Sequence, residues 1–231
     1  MKIIISPAKK MNINTDDFLS VSTPVYIEKT KEILEKLSGM TLEELQKLWK
    51  CNDELAKLNY DRIREMKLDH NLTPALLSYE GLQYQHMAPV VFTDTAVKYV
   101  EEHLRILSGF YGVLSPLDGV TPYRLEMQAP LSVGGKKNLY EFWGKSLYDQ
   151  VHDEDRTIIN LASKEYSKAI EKYLQPEDRF LTIVFGELSD GKVKQKGTFA
   201  KMARGEMVRY MAENHIEDPE KIKEFTISGY L

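Results

Sequence analysis

The pattern of apolar and polar positions along the chain predicts short buried strands between amphipathic helices. A β-branched run at residues 2–5 stops at Ser6-Pro7, which is typical of a buried strand followed by a turn. Similar runs predict strands at residues 111–114, 121–127, 157–161 and 180–188. Residues 192–196 are expected to pair with the last of these in a hairpin, through a tight turn at 189–191.

Helical spacing of apolar residues, with capping residues and glycines at the ends, predicts the helices. They are expected near residues 27–37 (with Gly39 as the stop), 41–50, 53–66, 93–107, 138–151, 163–174 and 198–214. Thr41 and Glu44 form a capping-box pattern at the start of the second of these. The helices within residues 41–65 form a helical hairpin with the outline of a DNA-binding module. Its turn, Lys50 to Asp53, lacks the glycine that would let the backbone touch phosphates, so DNA contact there is only weakly indicated.

The order of these elements mixes strand–helix alternation with one clear hairpin and helix-rich insertions. This order predicts an α/β or mixed α+β fold in which helices surround a mixed sheet. No linker rich in Gly, Pro or Ser and no internal repeat divides the chain. We therefore expect one compact domain over residues 1–231.

Composition narrows the class of protein. The chain has 231 residues, a net charge of −4 and 42% hydrophobic residues, as expected of a soluble globular protein. Cys51 is the only cysteine, which excludes an intrachain disulfide and a Cys-x-x-Cys site and suits a reducing cytosol. The apolar run at the N-terminus is too short for a signal peptide, and no stretch approaches 18 apolar residues. We expect a cytoplasmic protein with no membrane partner.

Positive charge is concentrated in residues 192–210, which carry a net charge of +5 in an acidic chain. The six cations are Lys192, Lys194, Lys196, Lys201, Arg204 and Arg209. The first three alternate along a strand and are interpreted as protection of a sheet edge. The last three fall within about 140° around a helix and are interpreted as functional. Gly205 would allow a ligand or another backbone to approach Arg204 closely.

Further candidates lie where strands end and helices begin. Ser6 and Lys9 follow the first strand, at an edge where open α/β sheets bind ligands. Asn160 lies in a buried strand, and Ser163 either caps the next helix or joins an anion site at its N-terminus.

Two further stretches carry candidate residues. Arg124 and Glu126 share one face of an extended segment, where they either pair together or act as a charge clamp and an acid/base. Trp143 is interpreted as core, with stacking on a ring as the alternative. The five histidines show no metal-ligand spacing, and no metal or cofactor is expected.

Several motifs together resemble the YaaA family of bacterial peroxide stress proteins. They are ISPAK, LRILSGFYGVLSPLD, PYRLEM, LYEFWG, INLASKEY, FAKMARGEMVRY and a late SGY, in order from residue 3 to residue 230. The resemblance implies a cytosolic protein that limits iron and peroxide damage. It also implies a mixed α/β domain of unusual topology, with a basic cleft, a proposed role in DNA binding and no established reaction. The motif residues are Ser6, Lys9, Tyr123, Arg124, Glu126, Trp143, Asn160, Ser163, Glu165, Tyr166, Lys201, Arg204 and Arg209.

Two functions follow from these observations. The first is nucleic-acid binding with low sequence specificity, in which cations contact phosphates and Trp143 or Tyr166 stacks on bases. Its anion-binding residues are Lys9, Arg124, Ser163, Lys201, Arg204 and Arg209. The alternative is an enzyme that acts on a small phosphorylated or nucleotide-like ligand, with Glu126, Ser6 and Asn160 as catalytic residues. Convergence of the motif residues in a closed pocket favours the enzyme, and dispersal along an open groove favours the nucleic-acid binder.

Overall fold

The strands and helices of the chain were defined in a computed structural model, which describes residues 1–13, 22–189 and 192–229. The strands are β1 (Lys2–Ile5), β2 (Lys10–Met11), β3 (Thr73–Pro74), β4 (Tyr79–Glu80), β5 (Leu104–Ser108), β6 (Gly112–Leu114), β7 (Gly119–Val120), β8 (Thr157–Asn160), β9 (Arg179–Thr182), β10 (Glu187–Ser189) and β11 (Lys192–Lys194). The helices are α1 (Ile27–Ser38), α2 (Leu42–Trp49), α3 (Asp53–Glu65), α4 (Ala75–Ser78), α5 (Leu82–Met87), α6 (Asp94–His103), α7 (Leu139–Trp143), α8 (Lys164–Glu171) and α9 (Gly197–Glu213). Residues 190–191 of the turn predicted at 189–191 and the last residue of the SGY motif lie outside the described residues.

A five-stranded sheet in the order β6-β5-β1-β8-β9 forms the centre of the fold. Strands β5, β1, β8 and β9 are parallel, and β6 adds an antiparallel edge. Ile3, Ile4 and Ile5 of β1 are fully buried, as expected of a central parallel strand that is covered on both faces. The expected fold class, a mixed α/β domain with helices around a mixed sheet, is confirmed.

The strand order reverses beside β1. From β1 the chain crosses to β5 on one side, whereas from β8 it crosses to β9 on the other side. In open α/β sheets, such a switch point leaves a crevice outside the carboxyl ends of the two strands. Ser6 follows β1 and Ser163 follows β8, so both lie at this crevice.

Four element predictions were wrong in part. The helix expected at residues 93–107 ends at His103, because Leu104 to Ser108 form β5 beside β1. Residues 121–126 have no regular secondary structure, Met127 begins a turn, and the segment pairs with no strand of the described residues, since the backbone of Leu125 to Met127 packs instead against Gly109. A Cβ on Gly109 would lie 2.6 Å from the Leu125 carbonyl oxygen.

The other two corrections concern segment lengths. The strand expected at residues 180–188 is two strands, β9 in the main sheet and β10 paired with β11. The helix expected at 138–151 is the short α7 followed by 3₁₀ turns, because Gly144 adopts a positive φ of 55°. The short elements β2, β3, β4, β7, α4 and α5 were not predicted.

The helical hairpin is confirmed as α2 and α3. Thr41 and Glu44 form the expected capping box, and the Asn52 side chain caps α3. Lys50 ends α2 in the left-handed conformation, with a φ of 48°.

Helices α5 and α9 cross at Gly205. A Cβ at this position would overlap the carbonyl oxygen of Gln83 and lie 2.9 Å from the Met87 nitrogen. The glycine in α9 therefore admits another backbone rather than a ligand. Of the helices in the described ranges, the longest is α9 with 17 residues, and none has the length and apolar character to cross a membrane.

Candidate functional site

A cavity of about 390 Å³, here called the main cavity, opens at the carboxyl ends of β1 and β8. Its walls come from the residues after β1, from α5, from residues 123–126, from the start of α8 and from α9. The predicted site residues in its lining are Ser6, Lys9, Arg124, Glu126, Ser163, Tyr166, Lys201 and Arg204. The structure thus brings most of the predicted site residues together in a single concave site.

The two serines at the switch point are bonded to each other. The backbone N–H of Ser163 donates to Ser6 Oγ over 2.8 Å, and Ser6 Oγ donates to Ser163 Oγ over 3.2 Å. Ser163 stands at the N-cap position of α8, but its side chain makes no capping hydrogen bond. Of the two interpretations of Ser163, capping by its side chain is wrong, because that oxygen is held in the cavity by Ser6.

Replacing Ser6 by alanine is expected to lower the free energy of unfolding by about 1–2 kcal/mol, because the half-buried Ser163 N–H loses its acceptor. Urea unfolding of both proteins would measure the difference. Ser132→Ala, at an exposed hydroxyl outside the main cavity, is the matched control and should stay within about 0.5 kcal/mol of the wild type. Equal losses in the two variants would contradict the role given to Ser6.

Arg124 and Glu126 are half-buried and line the main cavity, while the alternating residues Tyr123, Leu125 and Met127 are buried. This alternation fits an extended segment. The two charged residues do not pair with each other. Glu126 instead forms an ion pair with Lys9, in which Lys9 Nζ lies 2.6 Å from Glu126 Oε1.

Arg124 and Arg204 are the least satisfied cations of the cavity. In each, the Nε atom is buried and has no hydrogen-bond partner in the part of the chain that the structure describes. Burial lowers the pKa of the Arg204 guanidinium, although arginine keeps its charge at neutral pH. Lys201, one turn earlier on α9, also has no ion-pair partner among the described residues.

Three tyrosines form a rigid wall of the cavity. The Tyr84 hydroxyl donates to the Ser6 carbonyl oxygen over 3.0 Å. The Tyr123 hydroxyl lies 2.6 Å from Ser108 Oγ, which already accepts two backbone N–H groups and so donates its proton to Tyr123. Burial raises the pKa of Tyr123 to about 12 and that of Tyr166 well above its usual value, so both are neutral at physiological pH.

Glu165, at the start of α8, is the acidic group that the cavity perturbs most. Burial raises the pKa of its carboxyl and the negative charge of Glu126 raises it further. The backbone N–H of Gln128 donates to the Glu165 carboxylate over 3.2 Å and offsets part of this effect. Glu165 therefore holds a proton to higher pH than an ordinary glutamate.

Because the pKa of Glu165 is raised, we expect the effect of Glu165→Gln on the stability of the fold to depend on pH. The folded state favours the protonated carboxyl, so ionisation of Glu165 destabilises the fold as pH rises through the raised pKa. The glutamine variant should therefore be more stable than the wild type at pH 7. This difference should vanish below the ordinary carboxyl pKa of about 4.3. Thermal unfolding across pH measures it, with Glu154→Gln, an exposed carboxyl outside the cavity, as the control. A gain that persists at acid pH would contradict the prediction.

Three predicted site residues lie elsewhere. Asn160 is buried in β8, where it donates to Thr182 Oγ1 and accepts from the Ala162 N–H. Trp143 is 1% exposed and donates to the Gly109 carbonyl oxygen, which places it in the core rather than in a stacking position. Arg209 lies outside the main cavity and pairs with Glu213 at 2.8 Å.

Two of the strand lysines, Lys194 and Lys196, lie outside the lining of the main cavity. Lys196 pairs with Glu187 of the neighbouring strand at 2.7 Å, and Lys194 donates to Ser189. Of the cations in residues 192–210 whose side chains the structure describes, Lys201 and Arg204 line the cavity.

Some lining residues were missed in the sequence. Tyr84, Gln83 and Leu82 belong to the six-residue α5, and Glu80 precedes it. No sequence signal pointed to them, since a helix this short carries little periodicity. Glu165 fell on a motif but received no role. Within the described ranges, no group of three or more His, Cys, Asp or Glu side chains could hold a metal ion.

Comparison with known proteins identifies the family. Residues 1–231 match the model of a family described as peroxide stress protein YaaA. A UPF0246 protein of Agathobacter rectalis is 58% identical over the whole chain and 93% of its own length. UPF0246 proteins of Desulfitobacterium hafniense and Pediococcus pentosaceus are 55% and 51% identical, each over 100% of this chain and 92% of their own length. On this evidence, the chain belongs to the YaaA family of peroxide stress proteins.

Proposed function

We propose that the chain serves in peroxide stress by binding a small phosphate-bearing molecule in the main cavity. The observation that carries this proposal is the convergence of Arg124, Lys201 and Arg204 on one concave site, with no carboxylate paired to any of them among the described residues. A buried guanidinium without a partner costs free energy, which a bound oxyanion would recover. The cavity volume of about 390 Å³ is in the range of small-ligand sites.

The charge of the lining favours an anion. Five cationic and three acidic side chains line the main cavity, an excess of two positive charges. Lys9 and Lys10 are already paired with Glu126 and Glu80. The unpaired charge is therefore contributed by Arg124, Lys201 and Arg204, and a single phosphate group can accept bidentate bonds from such arginines.

Nucleic-acid binding through the same opening is the second candidate. It is favoured by the exposed Lys9 and Lys10 at the mouth, where a backbone phosphate could reach them. Three acidic residues in the lining weigh against a continuous polyanion. So does the ion pair of Arg209 with Glu213, which neutralises a cation that the sequence assigned to anion binding.

Catalysis on the bound ligand is favoured by one further observation. Glu126 is ion-paired to Lys9, whereas neighbouring Glu165 is buried with a raised pKa. Two carboxyl groups in different environments are suited to act as base and acid. Ser6 also lines the cavity, but Asn160 is engaged in β8 and would have no part in such a reaction.

Two titrations test the proposal. Calorimetry with inorganic phosphate and with adenosine monophosphate at low salt should show saturable binding. Fluorescence anisotropy with duplex and branched DNA across a salt series should show weak binding or none. If instead DNA binds with a log–log salt slope of roughly −3.6, as expected for about four neutralised phosphates, and neither small probe binds, the function is nucleic-acid binding.

A further inference from the structure

A second, smaller cavity shares one wall with the main cavity. It measures about 230 Å³ and is here called the side cavity. Lys9, Arg124 and Glu126 line both cavities, so these three side chains form the partition between them. The remaining lining of the side cavity is Leu48, Trp49, Lys50, Gln128, Ala129 and Pro130.

The side cavity is rich in hydrogen-bond donors that have no acceptor. Trp49 is 4% exposed, and its indole Nε1 has no hydrogen-bond partner in residues 1–13, 22–189 and 192–229. The Nε atom of Arg124 in the partition is likewise unpartnered. Buried donors are nearly always satisfied in folded proteins, so two of them beside one cavity indicate that an acceptor belongs there.

The side chains that line the side cavity carry a net positive charge, as do those that line the main cavity. Its cations are Lys9, Lys50 and Arg124, and Glu126 is its one acidic side chain. Lys50 is exposed and has no ion pair within the described residues. An occupant of the side cavity would therefore carry negative charge, like an occupant of the main cavity.

We infer that the two cavities are subsites for one elongated ligand with two separated oxyanion groups, such as a chain of phosphates. One group would bind Arg204 and Lys201 in the main cavity, and the other would bind Lys50 and Trp49 in the side cavity. Arg124 lies between the two groups and serves both. This inference rests on the proposed function of the main cavity and adds the length and second anionic group of its ligand.

The partition between the two cavities must open for such a ligand to bind. Lys9 is 65% exposed, and within the described residues its ion pair is with Glu126, so it can turn from the carboxylate toward an oxyanion at little cost. Glu126 would then face the Gln128 side chain, whose Nε2 already lies 3.5 Å from the carboxylate. An ion pair that opens on binding connects the two subsites without movement of the main chain.

Calorimetry with inorganic phosphate and tripolyphosphate tests the inference. In the wild type, tripolyphosphate should bind at least tenfold more tightly, as expected when charged hydrogen bonds are added. Lys50→Asn and Trp49→Phe should each reduce this ratio to about threefold or less. Asparagine tolerates the left-handed backbone at position 50, and Lys47→Asn on the exposed face of α2 is the control, which should keep the wild-type ratio.

The outcomes separate the two proposals. Binding of phosphate with no preference for tripolyphosphate, or a preference that Lys50→Asn and Trp49→Phe leave intact, would overturn the inference but not the proposed function. If neither probe binds the wild-type protein, the inference is overturned, and the titration with adenosine monophosphate decides the proposed function. Should Trp49→Phe fail to fold, Lys50→Asn decides alone, since its side chain is exposed.

Discussion

Replacing Gly205 by alanine is expected to lower the free energy of unfolding by about 3 kcal/mol, near the upper end of overpacking effects. The added Cβ would overlap the Gln83 carbonyl oxygen, and backbone atoms cannot turn aside as a side chain can. Alanine gains about 1 kcal/mol over glycine in helix propensity, which the overlap must exceed. Differential scanning calorimetry should show a melting temperature lower by roughly 10 °C.

Gly197→Ala is the matched control in the same helix. Apart from its chain neighbours and the backbone of its own helix, no heavy atom of the described residues lies within 4 Å of the position its Cβ would take, and Gly197 begins α9. We expect this variant to be as stable as the wild type or more stable by up to about 1 kcal/mol. If Gly205→Ala were equally harmless, α5 and α9 would not cross in contact at Gly205. Because both helices line the main cavity, Gly205→Ala should also weaken ligand binding.

Replacing Arg204 by methionine is expected to weaken binding of inorganic phosphate by roughly 100-fold, because a charged, largely buried donor is lost from the cavity. The same change should leave the free energy of unfolding unchanged or raise it by about 1 kcal/mol. The reason is that Arg204 is half-buried and its buried Nε has no hydrogen-bond partner among the described residues, so methionine removes an unsatisfied group and keeps most of its apolar volume. Calorimetric titration and urea unfolding of one preparation give both values.

A loss of phosphate affinity without a loss of stability distinguishes a binding residue from a structural one. If Arg204 were a structural residue, its substitution would lower the free energy of unfolding of the protein. The loss of phosphate binding would then follow from partial unfolding. Arg209→Met is the control on the same helix, since Arg209 lies outside the main cavity and pairs with Glu213. It should change phosphate affinity by less than about twofold, because an exposed ion pair contributes little. Similar losses of affinity in the two variants would refute the assignment of Arg204.

Local sequence signals predicted the elements that the neighbouring residues define. The capping box at Thr41, the isoleucine run of β1 and the glycine stop of α1 each depend on contacts within a few residues. Prediction of secondary structure failed where contacts with residues distant in the sequence determine the conformation. Residues 104–108 continue a helical pattern, yet pairing with β1 makes them a strand. Residues 121–127 have a strand pattern, yet no neighbouring strand receives them.

For the candidate site, the sequence determined the chemical groups, and the tertiary structure decided which of them meet. Residue types and motif positions identified Ser6, Arg124, Glu126, Lys201 and Arg204 before any contact was known. The sheet order placed the ends of β1 and β8 together, and that order depends on long connections, such as the one from Ile5 to Leu104, whose course the sequence does not show. The sequence cannot show that Lys196 and Arg209 are neutralised by partners or that Arg204 is not. Pairing and burial depend on atoms far apart along the chain, and only the packed fold brings those atoms within reach of one another.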